Sequence, residues 1–408
     1  MAKSRKDSKG YALRTGEYQR KDGSYSFSYA DQYGRRRAIT AKTLVDLRRR
    51  EKEILRAIDD GIDVHAMGNT TLNQLFDKYI NEKYDLKPTT KANYKYMYDH
   101  FVRETLGKKR LGTINYSVMK KFYYGLISEK VLQANTLDNI NTVLHPTFEM
   151  AVRNGWLRMN PTSGVMREIK RSHFWEIEPR HALTVPQQRA FTAFLAESRE
   201  FCGWYPVIMV LLGTGMRIGE CLGLRWEDVD FEKRTISVNH NLTQRPLDDG
   251  SCRKHISTPK TKAGIRTIPM IDEVFEAFLQ EYEMQRCFGY ESEKIDDYTN
   301  FIFLTSGGSV LSAGSVNRAL ANITKAYNIQ EESKAKEEKR EPIIIPHFTA
   351  HNLRHTFCTR LCENESNLKV IQSVMGHKDI STTMDIYAEA TEEKKQEIMV
   401  NLQGKIIL

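Results

Sequence analysis

Residues Pro346 to Tyr387 read PHFTAHNLRHTFCTRLCENESNLKVIQSVMGHKDISTTMDIY. Groups able to do chemistry sit here within helix-forming, half-buried sequence. Leu353, Phe357 and Leu361 recur at i+4 and mark a buried face. His351, Arg354 and Cys358 therefore project from a different stripe, with Arg354 one turn beyond His351. An imidazole and a guanidinium on one stripe suit a phosphate oxyanion, because both can donate and one is always charged. Gly376-His377 interrupts the next helical pattern, and Tyr387 follows on a third short segment.

A chain of 408 residues has room for two or three separate cores. Its net charge of +9 points to a polyanionic partner, although a basic surface alone also serves solubility. The charge is uneven: residues 1–66 hold sixteen Lys and Arg against ten Asp and Glu, which suggests a small basic module. The longest apolar run, Val207 to Leu212, is far too short for a membrane span and reads as core. The basic start MAKSRKDSKG has no apolar segment after it, so no secretory signal is expected. Six scattered cysteines fit reduced thiols in a cytosol better than a disulfide framework.

In chain order, residues 1–10 read as a disordered basic tail. Tyr18 to Arg20 could form a first strand, closed by Lys21-Asp22-Gly23. Tyr25, Phe27 and Tyr29 alternate with serines as a half-buried strand, and Arg35 to Thr40 would return antiparallel. Leu44, Leu47, Ile54, Leu55 and Ile58 share a helix face, with Gly61 as the stop. Such a sheet could be a partner-binding module or could lie in a DNA major groove, and the charge favours DNA. Arg20, Lys21, Arg35, Arg36 and Arg37 are the candidate contacts.

Val64 to Asn69 reads as a linker. Residues 70–166 then read as a helical bundle, with Thr89, Ser117 and Thr136 as candidate caps and a kink at Pro146. Lys87, Lys91 and Lys95 decorate it among tyrosines, as a solvated face or a DNA contact. Ile169 to Arg180 reads as a charged connector without clear period. A mixed pattern follows, with strands at Thr235 to His240, His255 to Thr258 and Arg266 to Met270. Glu331 to Glu341 is a mixed-charge run expected to be solvated.

H-x-L-R-H, then G-H, then a tyrosine ten residues after that histidine, resembles the C-terminal signature of the tyrosine recombinases, or phage integrases. Thr214-Gly215-Met216-Arg217-Ile218-Gly219-Glu220 resembles the family's first-arginine motif, and Pro259-Lys260-Thr261-Lys262-Ala263-Gly264 resembles its catalytic-lysine turn. Each fragment alone is weak, but their order along nearly the whole chain is specific. The layout is closest to integrases of conjugative transposons.

The chemistry explains why such residues would be gathered. A phosphodiester repels nucleophiles and has a poor leaving alkoxide, so its charge must be offset and the leaving oxygen protonated. Arg217 and Arg354 can fork-bond the non-bridging oxygens. His351 could donate to the phosphate or take the tyrosine proton, and His377 could add a hydrogen bond. Lys260 or Lys262 could act as general acid, with Lys260 favoured by its place beside Pro259. Tyr387 would attack and become linked to phosphate, which by resemblance is the 3′ phosphate. No carboxylate cluster suited to paired magnesium ions is found, and the resemblance implies neither metal nor cofactor.

Blander accounts compete. An arginine in G-x-R-x-x-E is commonly a salt-bridged helix start, and Glu220 is placed to buttress Arg217. Tyr387 is one of nineteen tyrosines, most of which would simply pack, yet it is the only one downstream of Gly376-His377. His347, His351 and His355 with Cys358 and Cys362 could suggest zinc, but Arg354 would place a permanent cation beside the metal.

The expected fold is multidomain α+β: a small three-stranded sheet plus helix, a helical bundle and a mixed, mainly-α catalytic domain. By resemblance these are an arm-type DNA-binding domain at 1–66, a core-binding domain at 70–168 and a catalytic domain at 180–390. A tail at 391–408 is a candidate exchange segment. The expected function is site-specific recombination of a mobile element in the bacterial cytosol. Double-stranded DNA with core and arm sites is the partner, through a homotetramer and with an accessory excision factor possible. Rival accounts are a type IB topoisomerase and a DNA-binding regulator without catalysis.

Overall fold

The computed structural model describes residues 5–31, 33–130, 132–172, 182–246, 252–259 and 264–388. They divide into two compact units, 1–178 and 179–408. The architecture is mixed α+β and mainly helical.

The first unit opens with a three-stranded antiparallel sheet of Glu17–Gln19, Tyr25–Ala30 and Arg36–Ala41. Tyr25 and Phe27 lie on its buried face, with Leu47 of the Leu44–Asp59 helix in the same cluster. Leu55, expected on that helix's buried face, is exposed. Residues 5–12 are not a free tail. Asp7 is buried, accepts a hydrogen bond from the Tyr25 hydroxyl at 2.6 Å, and accepts from the N–H groups of Lys9 and Tyr11. One carboxylate with three donors folds the segment back.

The expected linker is instead a short helix, Val64–Asn69, capped by Asp63. The Asp63 N–H donates to the Gly155 carbonyl at 2.7 Å, and Arg158 pairs with Asp60. The helical bundle comprises Leu72–Glu82, Pro88–Phe101, Tyr116–Lys130 and Ala134–Arg153 around Phe76, Tyr98, Tyr123 and Phe148. Three caps differ from expectation. Pro88 opens its helix after Lys87, the Asn115 side chain accepts the Val118 N–H, and Gln133 precedes the last helix. Pro favours the first helical turn, which moved that start ahead of Thr89. Pro146 sits inside one continuous helix. The connector begins as a helix too, Val165–Lys170, with Val165 and Ile169 in the bundle core.

In the second unit, the Tyr205–Thr214 helix is the centre. Val207, Ile208, Val210 and Leu211 are all buried, the signature of a helix enclosed on every side. It packs against Asp272–Phe288 and Ala350–Asn364. An antiparallel sheet runs Val229–Asp230, Thr235–Val238, Arg266–Pro269. Cys252–Ser257 pairs with Asn241–Pro246, not with the strand that follows it. Lys260 and Lys262 fall in the sequence between Cys252–Ser257 and Arg266–Pro269 and lie outside the described residues. The charged run continues the Ala313–Glu338 helix, and Glu331 is buried because Arg340 donates to both its oxygens, at 2.5 and 3.0 Å. No helix among the described residues is long and apolar enough to cross a membrane.

One buried acid gives a direct test of this packing. Glu281 is buried in the Asp272–Phe288 helix, and burial pushes its carboxyl from the ordinary 4.5 up to about 7. A raised folded-state pKa means stability that is complete below about pH 4.5 and lost as pH rises through about 7. Glu281→Gln should stabilise the protein at pH 8 by up to about 3 kcal/mol and change little at pH 4. Thermal melts at both pH values check this, and an equal shift at both would refute it.

Candidate active site

Thr214 and Gly215 end the apolar central helix. Gly215 has φ +62, and a Cβ there would lie 2.4 Å from the Phe357 ring. Only glycine suits both the left-handed backbone and that approach. The turn delivers Arg217 to the N-cap of Ile218–Leu222. Glu220 accepts from the Arg217 backbone N–H at 3.0 Å and from its Nη1 at 2.7 Å. The Arg217 side chain keeps 44% of its exposure and so faces outward from this brace.

Arg354 is 4% exposed on the Ala350–Asn364 helix. Its Nη1 donates to the Gly215 carbonyl and its Nη2 to the Met375 carbonyl, both at 2.7 Å. Burial, and then the nearby charge of Arg217, lower its pKa to about 10, so it remains charged at neutral pH.

The Leu368–Met375 helix ends at Gly376, φ +62. A helix C-terminus leaves carbonyls without partners and carries partial negative charge. Here three arginines take three successive carbonyls. Arg266 Nε donates to Val374 at 2.8 Å, Arg354 Nη2 to Met375 at 2.7 Å, and Arg217 Nη2 to Gly376 at 3.2 Å. His377 follows, buried, with Nδ1 2.9 Å from Thr383 Oγ1. Burial, then the charges of Arg354, Arg217 and Arg266, depress its pKa to about 4. It is therefore neutral at pH 7 and donates from one ring nitrogen only.

Tyr387 lies on a helix at 380–388, one turn beyond Thr383. It packs beside Cys358, Cys362, Ile371 and Met375. His351 is exposed on the first turn of the Arg354 helix. The structure thus gathers Arg217, Arg354 and His377 around one helix end, and sets Tyr387 against the same helix. Arg266 and Thr383 escaped the sequence reading. The period of Arg266, Ile268 and Met270 puts the arginine on the inward face, and a buried cation needs partners, which was the available signal.

The basic candidates of the first unit are less uniform. Arg36 is exposed on the helix-free face of the sheet, while strand alternation turns Arg37 to the other face, where it pairs with Asp31 at 3.1 Å. Arg20, Lys21 and Arg35 are exposed in turns, and Arg35 stands over the Tyr33 ring. Lys87, Lys91 and Lys95 follow an i+4 stripe along the Pro88–Phe101 helix.

Two arginines at one helix end, one buried and one nearly half exposed, with a tyrosine packed on that helix, bring together groups able to bind a phosphate and to attack it. Residues 183–394 match the model of the phage integrase family, residues 71–169 the phage integrase SAM-like domain, and residues 1–58 the DNA binding domain of Tn916 integrase. The chain belongs to the phage integrase family: it is a tyrosine recombinase, which binds, breaks and rejoins DNA. It is 31% identical to the transposase from transposon Tn916 of Enterococcus faecalis, over 98% of this chain and 100% of that one. The transposase from transposon Tn1545 of Streptococcus pneumoniae gives the same identity, 31%, over 98% and 100%. The Tn1549 transposon integrase, solved in complex with transposon right end DNA, aligns with a TM-score of 0.70 at 31% identity, covering 82% of this chain and 100% of that one. A lambda integrase dimer bound to a core site shares the fold, at TM-score 0.53 and 18% identity over 92% and 95%.

Proposed function

We propose that this recombinase integrates and excises a mobile genetic element at specific DNA sites through a 3′-phosphotyrosine. The observation that carries the assignment of residues is the meeting of Arg217, Arg354 and His377 at one helix end, with Tyr387 packed on that helix. The likeness to the Tn1549 integrase bound to transposon end DNA supports element ends as the substrate.

In this mechanism Arg217 and Arg354 bind the non-bridging oxygens of the scissile phosphate and offset the charge that grows on them. The Tyr387 oxygen attacks phosphorus and the 5′ oxygen leaves. His351 accepts the tyrosine proton or hydrogen-bonds the phosphate. Lys260 or Lys262 supplies a proton to the departing oxygen. Neutral His377 donates one hydrogen bond to the phosphate. The phosphotyrosine keeps the bond energy, so a free 5′ hydroxyl from another strand can reverse the step without ATP. A suicide duplex carrying an element end, nicked so that the short fragment bearing the freed 5′ hydroxyl diffuses away, should trap a covalent adduct whose labelled peptide contains Tyr387. An adduct on any other residue would overturn the assignment. Relaxation of plasmid lacking an element end would favour a topoisomerase instead.

The N-terminal sheet reads distal arm sites, with Arg36 on its open face and Arg20, Lys21 and Arg35 at its edges. The bundle holds core sites through Lys87, Lys91 and Lys95. A homotetramer on two duplexes completes strand exchange, with an excision factor as accessory. The proposed exchange segment, 391–408, lies outside the described residues. Because residues 60–69 are bonded into the bundle, the separable module ends near residue 58. Deleting residues 1–58 should abolish arm-site binding while core-site cleavage persists within about tenfold, read by gel shift and suicide cleavage. Loss of core-site binding would refute this division of labour.

A further inference from the structure

Arg266 sits opposite Val238, on the inward face of the paired strands Thr235–Val238 and Arg266–Pro269, with its side chain 5% exposed. A guanidinium this buried is costly unless its donors find acceptors. They do so in three directions. Nη2 donates to Glu220 Oε2 at 2.9 Å, Nε to the Val374 carbonyl at 2.8 Å, and Nη1 to the Gly264 carbonyl at 3.4 Å.

Two of these partners, Glu220 and Val374, lead to different parts of the candidate centre. Glu220 grips Arg217 by its backbone N–H and its Nη1. Burial pushes the Glu220 carboxyl up, but the hydrogen bond and charge of Arg266 more than offset this and hold it below its usual range. Glu220 therefore stays an anion and a full acceptor for Arg217. Val374 is the last but one residue of the helix from which Gly376 and His377 emerge.

We propose that Arg266 is a positioning residue for strand cleavage: it touches no reacting atom, but fixes the Glu220 brace of Arg217 relative to the helix end that carries His377. This rests on the placing of Arg217 and His377 in the cleavage centre given above. The planar fork matters more than the charge, because one group must meet a carboxylate and a carbonyl in two directions at once. A lysine ammonium is a point charge on a flexible stem and cannot hold both at fixed separation. A buried arginine–carboxylate pair that served folding alone could be exchanged for neutral groups at little cost.

The test uses the full-length protein, a suicide duplex and single-turnover cleavage at saturating protein. Arg266→Lys keeps the charge beside Glu220. It should leave the thermal melt cooperative and duplex Kd within about threefold, yet slow cleavage about 100-fold, the scale of an ångström-level misplacement. If Arg266 acts through Glu220, adding Arg266→Lys to Glu220→Gln should slow cleavage no further than the slower single variant. A folded Arg266→Lys that cleaves at the wild-type rate overturns the proposal. So does a double variant whose defects multiply, or a loss of cleavage matched by an equal loss of binding. Should Arg266→Lys not fold, Arg266→Gln paired with Glu220→Gln removes both buried charges together, and wild-type cleavage by that pair overturns the proposal equally. Arg217→Ala is run in parallel. If it cleaves normally, the placing of Arg217 has failed, and the Arg266 results are then read as evidence against its acting through that residue.

Discussion

Tyr387→Phe is expected to abolish the covalent protein–DNA adduct altogether. The substitution removes one oxygen from a side chain that packs beside Cys358, Ile371 and Met375. The ring stays, so the packing stays, and duplex Kd should remain within about threefold of wild type. No second phenol stands on that helix: its other oxygen-bearing side chains are Ser381, Thr382, buried Thr383 and Asp385, each of different length and direction from Tyr387. Suicide-substrate gels measure adduct and gel shifts measure binding. Adduct at the wild-type level would remove Tyr387 from the role, and adduct lost together with binding would point to a packing function.

The second large effect is a contrast between two arginines. Both should be needed for cleavage, each loss slowing it on the order of 10²–10³-fold. Their structural costs should differ. Arg354 is buried, and Arg354→Ala strands the Gly215 and Met375 carbonyls, each at about 1–3 kcal/mol. Arg217 is nearly half exposed, and although Arg217→Ala takes a donor from the Gly376 carbonyl and from Glu220 Oε1, Glu220 keeps the backbone N–H at that position and Arg266 Nη2. Thermal melts should therefore fall much further for Arg354→Ala than for Arg217→Ala, while cleavage falls for both. Wild-type cleavage by Arg217→Lys would sink the two-arginine clamp, because a lysine cannot fork.

Much of this was legible in the sequence because it obeys local rules. The alternation of Tyr25, Phe27 and Tyr29 gave the strand, and the i+4 recurrence of Leu353, Phe357 and Leu361 gave the helix that carries Arg354. What stayed hidden depends on partners distant in sequence. Asp7 looks like tail until the Tyr25 hydroxyl reaches it. Glu331 looks solvated until Arg340 turns back onto it. Strand pairing between Thr235–Val238 and Arg266–Pro269 skips the intervening hairpin, which period-two patterning cannot reveal. The motif residues proposed for the site could be read one by one, but the anchoring of arginines on Val374, Met375 and Gly376 could not, since backbone carbonyls carry no sequence signature.

Two of those carbonyls also bear on the entropy of the cleavage step. Arginine side chains are long, and freezing one costs roughly 2 kcal/mol of rotamer entropy. Arg217 and Arg354 are already anchored on Gly376 and Met375 before any DNA arrives. Their ordering is settled when the protein folds. A phosphate entering between them would meet cations with nothing left to immobilise, and the cleavage step should show a small activation entropy, its temperature dependence set almost wholly by bond-making at phosphorus.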